Sequence, residues 1–328
     1  MKKTLIALAV LSATSAFAQV TLTGTVRAAY QKTNSSDFTE NQSGLALTDA
    51  TIGVAATEDL GSGMKASAGI TLDQNSSAFP AGSAPAGTAA ALNTNGSRAS
   101  TGSINRRNTF VQVQGDFGLV RFDQTRSGDL ITRAWVAPSN LDQGIYDGSN
   151  IVARAGIDAL TYGMAFGPVT ASLQYVETGA DGVSTPNVNV TVLNLGYANG
   201  PLAAGFSIKS SAGAGTTNFA RTINNEAFVT YDFGVARVGL GWDGAMAAAS
   251  SANADANALA FGVAVPVTSA LTLGANYATR DVNNTTEFAA AYSLSKRTVF
   301  NASYGRQTAK ETATRTADQF RISLAHNF

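Results

Sequence analysis

The chain has 328 residues, yet only 13% are Asp, Glu, Lys or Arg, well below the ~25% of a soluble globular domain. Its 22 basic and 22 acidic residues cancel, which excludes the broad basic face of a nucleic-acid-binding protein. Cys is absent and the single His is His326, so disulfide frameworks and Cys-based zinc sites or nucleophiles are excluded, and a His-dependent active site has little to draw on.

The first element is an address label. Met1-Lys2-Lys3 forms a positive start, Thr4 to Ala13 a short apolar stretch, and Ala16-Phe17-Ala18 the small-residue pattern of a cleavage site. The apolar stretch falls short of the about 20 residues that cross a membrane as a helix. The expected organisation is a signal peptide over 1–18 and one folded unit over 19–328.

From there the hydrophobic period is two. In residues 20–30, Val20, Leu22, Val26, Ala28 and Tyr30 share one face, with Thr21, Thr23, Thr25 and Arg27 on the other, the pattern of a strand with one apolar side. The same alternation returns at 64–73, 169–176, 202–209, 235–243, 271–280, 286–294 and 319–328. Around 188–197 the phase is ambiguous, because Val190 and Val192 compete with Leu193 and Leu195 for the apolar face.

Short breakers separate these runs. They fall at Glu58–Gly63, Asp116-Phe117-Gly118, Gly167-Pro168, Asn199-Gly200-Pro201, Asp232-Phe233-Gly234, Pro266–Ser269 and Ser295-Lys296-Arg297, all rich in residues that suit tight turns. Seven short turns divide the chain into eight hairpins, hence sixteen strands, with longer loops at the opposite end. All seven prolines are expected outside the strands. Strands of about ten residues cross the hydrocarbon layer when tilted, and only closure pairs every backbone group that lipid cannot satisfy. The predicted fold is therefore all-β, a sixteen-stranded antiparallel transmembrane β-barrel. Tyr30, Tyr175, Tyr231, Trp242 and Tyr277 lie near strand ends, where interfacial girdles belong.

Three stretches carry a resemblance. TEDLGSGMKASAGITLDQ (Thr57–Gln74) resembles the first periplasmic turn and following strand of Gram-negative general porins, especially the β-proteobacterial kind. RRNTFVQVQGDFGLVRFDQ (Arg106–Gln124) resembles their second hairpin, and the terminal RISLAHNF is similar to the last strand that the barrel-assembly machinery reads through its final aromatic, here Phe328. The resemblance implies short periplasmic turns, long extracellular loops, a third loop folded into the barrel, a homotrimer, and an outer membrane with its lipid and lipopolysaccharide as surroundings. The chain departs from the family in two places. Asp123-Gln124 stands where Gly-Arg often closes the fifth strand, removing one customary wall arginine, and the PEFG signature of enteric relatives is missing.

Sixteen strands leave a water-filled lumen rather than a packed core. Strand phase turns Arg27, Lys65, Arg121, Lys209, Arg237, Arg280 and Arg321 inward, with Asp73, Asp123, Glu226, Asp243 and Glu287. The third loop, about 126–155, carries Arg126, Asp129, Arg133, Asp142, Asp147 and Arg154, with Trp135 and Pro138 to stiffen it. The candidate constriction is Arg27, Lys65, Arg121, Arg126 and Arg133 with Asp129, Asp142 and Asp147. Basic wall groups facing loop carboxylates would filter small hydrophilic solutes and ions by size and charge.

No other chemistry is indicated. The 75–104 stretch reads as a long second loop, able to latch a neighbouring subunit or merely to cover surface, and 245–260 as a sixth extracellular loop. Neither a calcium loop, a phosphate cradle nor a dinucleotide fingerprint is present, so no cofactor and no metal are expected. A barrel enzyme is disfavoured because His326 shares its phase with Phe320, Ile322, Leu324 and Phe328 and so points outward. The alternatives to passive diffusion are a substrate-specific channel and a barrel-based adhesin. The aromatic residues mostly share the lipid phase, which disfavours a lumenal aromatic stair for sugars.

Overall fold

The computed structural model describes residues 19–35, 42–74, 104–126, 129–139, 141, 156–177, 188–213, 222–244, 257–280, 283–309 and 315–328. The expected signal peptide, most of the second loop and the later part of the third loop lie outside these residues.

Sixteen strands run in chain order. The first five are β1 (Gln19–Ser35), β2 (Gln42–Gly61), β3 (Met64–Gln74), β4 (Ile104–Gly115) and β5 (Gly118–Arg126). A 3-10 helix over Leu130–Ala134 separates these from β6 (Gly156–Phe166), β7 (Val169–Glu177), β8 (Val188–Asn199), β9 (Leu202–Gly213) and β10 (Thr222–Asp232). The remainder are β11 (Arg237–Asp243), β12 (Ala258–Pro266), β13 (Leu271–Arg280), β14 (Asn283–Ser293), β15 (Thr298–Ala309) and β16 (Arg315–Asn327). Every strand pairs antiparallel with its sequence neighbours, and β1 pairs with both β2 and β16, so the barrel is closed.

The seam is made at the chain end. Thr25 to Ser35 pair with Asn327 back to Ala317, and the ladder is finished by Gly24 N–H to the Phe328 carbonyl at 2.9 Å and Phe328 N–H to the Gly24 carbonyl at 3.0 Å. The Phe328 ring occupies the space above Gly24, where a Cβ would come within 2.7 Å of its Cε2 and closer still to its Cζ.

Burial is inverted relative to a soluble protein. Fully buried side chains include Arg321, Gln31, Glu226, Glu287, Asn283 and Asp243, whereas Val20, Leu22, Val111, Phe122, Leu173, Leu240, Leu259 and Phe288 are more than half exposed. Polar groups inside and apolar groups outside match a barrel whose solvent is lipid. Each face follows from the pleat: on β1, Val20, Leu22, Val26 and Tyr30 look out while Ala29, Gln31 and Thr33 look in. The ambiguous strand is settled here, for Leu193 and Leu195 are exposed outward and Val192 is buried inward. Val190 also turns inward, against Ile157, Ala159 and Val176.

Five tight connections use positive φ at one or more residues, Gly61-Ser62-Gly63 the most extensive with φ of 81°, 53° and 77°. Three expectations need correction. The β13–β14 connection is two residues, so the loops at that end are not all long. Pro266 is the last residue of β12 rather than outside it. It is tolerated there because a strand end demands no further ladder donor. The strands also vary in length, from 7 residues in β11 to 20 in β2, so the wall is higher on the β1–β2 side.

Candidate functional site

The described start of the segment between β5 and β6, from Asp129, lies on the inner face of β9 to β12. Its 3-10 helix repeats every three residues, which puts Ile131 and Ala134 on one side; both are fully buried against the wall, with Trp135 beside them. With Ala258, Ala260 and Ala278 they form an apolar cluster on the inner face of the wall.

Polar side chains of the wall tie the segment down at three points. Leu130 N–H, at the helix start, donates to Glu226 Oε2 at 2.9 Å. Ala137 N–H donates to Asn276 Oδ1 at 3.1 Å. Asn301 Nδ2 donates to the Pro138 carbonyl at 3.2 Å. Helix-start N–H groups have no partner of their own, and Asp129 at the N-cap makes no side-chain cap, so the wall carboxylate takes that role.

Glu226 belongs to a charged frame beneath the loop. Lys209 Nζ bonds Glu226 and lies 3.7 Å from Asp129 Oδ1. Arg280 pairs with Asp243, which also accepts from Asn224 Nδ2 at 3.0 Å. The carboxylates of Asp129, Glu226 and Asp243 come within 4.8 Å of one another, close enough for a cation. Lys209 already pairs with Glu226, and Arg280 with Asp243. Burial drives the Asp129 carboxyl up to about 8, Lys209 opposing and Glu226 and Asp243 adding to the rise.

On a sixteen-strand ring, β3 stands diametrically opposite β11. The wall facing the loop is therefore β1 to β5. Arg27 projects inward from β1 and pairs with Asp49 at 3.7 Å. From β5, Arg121 places its guanidinium carbon over the Phe110 ring, 4.1 Å from its centroid. Its Nη1 donates to Gln112 at 3.1 Å and its Nε stands 3.3 Å from Asp123 Oδ2, which fixes the plane of the guanidinium.

The sequence-predicted residues divide accordingly. Arg27 and Arg121 stand on the wall facing the loop. Arg133 is exposed on the lumenal side of the 3-10 helix, while Asp129 is turned into the wall beneath it. Lys65 is exposed two residues after the β2–β3 turn, in register with Asp59 and Gln114, at the end of the barrel that carries the short turns. Arg126 is the last residue of β5, in register with Gly156. Asp142, Asp147 and Arg154 lie outside the described residues. Strand phase turns Glu226, Asp243, Lys209 and Arg280 inward, but it does not show that Glu226 holds the loop backbone and that Lys209 meets Asp129. It did not single out Phe110, whose inward phase was the available signal. His326 faces outward and its Nδ1 lies 2.9 Å from Thr298 Oγ1.

Comparison with known proteins agrees with this architecture. A family model described as Gram-negative porin matches residues 4–312. Among solved structures, an anion-selective porin from Comamonas acidovorans superposes with a TM-score of 0.65 at 18% identity, covering 95% of this chain and all of that one. OmpF of Salmonella typhi, solved with daunomycin, gives 0.67 at 12% identity, covering 95% and 98%. The trimer form of OmpT from Vibrio cholerae gives 0.59 at 14%, covering 95% and 100%. No curated protein matches the chain.

Proposed function

Because the chain belongs to the Gram-negative porin family, we propose that it is a weakly anion-preferring general diffusion pore, filtering small hydrophilic solutes between the inserted third loop and the β1–β5 wall. The family and the barrel together make it an outer-membrane channel. Export by a cleaved 1–18 signal peptide, a homotrimeric assembly and contact with lipopolysaccharide belong to the same proposal. The trimeric OmpT relative supports the assembly.

One observation carries the charge preference. The loop was expected to offer carboxylates to the lumen, but Asp129 is spent on Lys209 behind the loop while Arg133 is exposed in front of it. The wall cations Arg27 and Arg121 each stand beside a carboxylate, Asp49 and Asp123, so among the described residues of this gap the excess is small and positive. Low-dielectric walls focus such an excess on the permeating ion. Lys65, Arg126, Asp142 and Asp147 remain candidates for the same filter.

The test is the reversal potential of the refolded protein in a planar bilayer under a salt gradient. An anion-signed potential that falls towards zero in Arg133→Ala is expected. A cation-signed potential in the wild type would overturn the assignment, and an unchanged one in Arg133→Ala would remove that residue from the filter. Neutralising Arg27 and Lys65 together is expected to lower the anion preference as well.

A further inference from the structure

We propose that four wall glycines, Gly239, Gly241, Gly262 and Gly274, set the cross-section of the pore by letting the third loop lie backbone against backbone on β11, β12 and β13. The inference rests on the reading of the lumen as a diffusion path.

Directly beneath Ile131 to Ala137 the inward positions of β11, β12 and β13 are largely Gly and Ala. Gly239 and Gly262 are directly opposite in register, as are Gly241 and Ala260, and Ala264 and Gly274. A Cβ at Gly262 would meet Val136 N at 2.7 Å and the Ala134 carbonyl oxygen closer still. At Gly239 it would meet the Ala134 carbonyl carbon and Cα at 2.9 Å, with the oxygen again closer. At Gly241 it would reach the Ile131 carbonyl oxygen at 2.8 Å, and at Gly274 the Ala137 Cβ at 2.7 Å. The obstructing atoms are mostly backbone, so rotamer changes cannot relieve them.

Relief has to come from one of two bodies. The wall strands are held on both sides by continuous ladders. Three side-chain hydrogen bonds hold the loop from Leu130 to Pro138. The loop is the softer body and moves towards the lumen. Restoring an ordinary contact of about 3.5 Å requires a displacement on the order of 1 Å, taken directly from the gap between the loop and the opposite wall. Each glycine thus acts on permeation through the loop it seats, as a positioning residue.

A control is built into the barrel. Gly163 of β6 also faces inward, but a Cβ there has nothing nearer than 3.8 Å. Gly163→Ala therefore adds the same methyl to the lumen wall without touching the loop.

The experiment compares wild type, Gly163→Ala, Gly241→Ala and Gly262→Ala, each refolded and checked for barrel structure by circular dichroism. Single-channel conductance and vesicle swelling in sugars of increasing size are then read. The expected result is no loss in Gly163→Ala, a loss in Gly241→Ala and a larger one in Gly262→Ala, with swelling rates falling most for the largest sugars. Where Gly262→Ala fails to refold, Gly241→Ala, with its milder clash, gives the answer alone. A wild type that conducts beside loop-seat variants of equal conductance and swelling overturns the inference and leaves the pore reading standing. An equal loss in Gly163→Ala also overturns it, because any added methyl would then suffice. Folded wild type without conductance overturns the pore reading, and the inference with it.

Discussion

Removing the Glu226 carboxylate is expected to release the start of the third loop from the wall. Leu130 N–H donates to this carboxylate at 2.9 Å, and a hydrogen bond to a charged group contributes about 1.5–3 kcal/mol. The Lys209–Glu226 pair adds less than its geometry suggests, since the Lys209 side chain is 22% exposed to the lumen and water screens it. Glu226→Ala therefore costs the loop seat about 2 kcal/mol, or roughly thirtyfold in its ratio of seated to displaced forms. The bonds from Ala137 to Asn276 and from Asn301 to Pro138 remain, so loosening is expected at the Leu130 end. Trp135 reports on it directly. It is 8% exposed, and the other tryptophan, Trp242, can be replaced by Phe to leave a single emitter. Acrylamide quenching of Trp135 is expected to rise clearly in Glu226→Ala. It should rise little in Glu226→Gln, whose amide oxygen still accepts from Leu130. Equal quenching in wild type and Glu226→Ala would refute the view that this carboxylate anchors the loop.

The same emitter tests a pH dependence. Asp129 is held up at about 8, against 3.8 for the free side chain, by burial among Lys209, Glu226 and Asp243. The folded loop favours the neutral carboxyl, so its contribution to seating is complete below pH ~4 and is lost as pH rises to about 8. Trp135 quenching should therefore increase across that window in wild type and stay flat in Asp129→Asn; a pH response that survives in the variant would assign it to another group. Phe110→Ala removes the ring beneath Arg121, an interaction of about 0.5–2 kcal/mol. Ion selectivity in the variant should shift as the guanidinium loses its fixed plane, and an unchanged reversal potential would count against a role for that stack. Deleting Phe328 removes two backbone bonds at the barrel seam and the ring over Gly24, so refolding yield into detergent or lipid should drop, and a wild-type yield would dismiss the seam argument. Gly118→Ala places a side chain at φ 101° and against the Gly163 carbonyl, and is expected to lower the denaturation midpoint of the barrel.

The fold was legible because three local signals agreed. Alternation gave the faces, the Gly and Asp turns gave the hairpins, and a sixteen-strand count gave a wet lumen. Where the alternation was double, as at Val190 to Leu195, sequence alone could not choose. Val190 and Val192 turn inward because the lumen is not uniformly polar, and Ile157, Ala159 and Val176 receive Val190 there. Hydrophobicity marks a lipid face only when the opposite face is wet along its whole length. The β13–β14 connection escaped for a different reason, since a two-residue loop leaves almost no composition to read.

The site was legible in phase but not in pairing. That Glu226, Lys209, Asp243 and Arg280 point inward follows from their strands alone. Which of them meets the third loop depends on where a chain segment tens of residues away comes to rest, and alternation carries no information about that. Asp129 illustrates the cost. As a carboxylate on an inserted loop it reads as a lumenal charge opposing Arg27 and Arg121, yet Ile131 and Ala134 turn the helix so that Asp129 meets Lys209 and Arg133 meets the water. The determining signal is the pair of apolar positions three apart beside a wall of Gly and Ala. Such a wall looks featureless in sequence because its contribution is the absence of side chains. A constriction of this kind is specified as much by Gly239 and Gly262, which contribute no group to the lumen, as by the charges that line it.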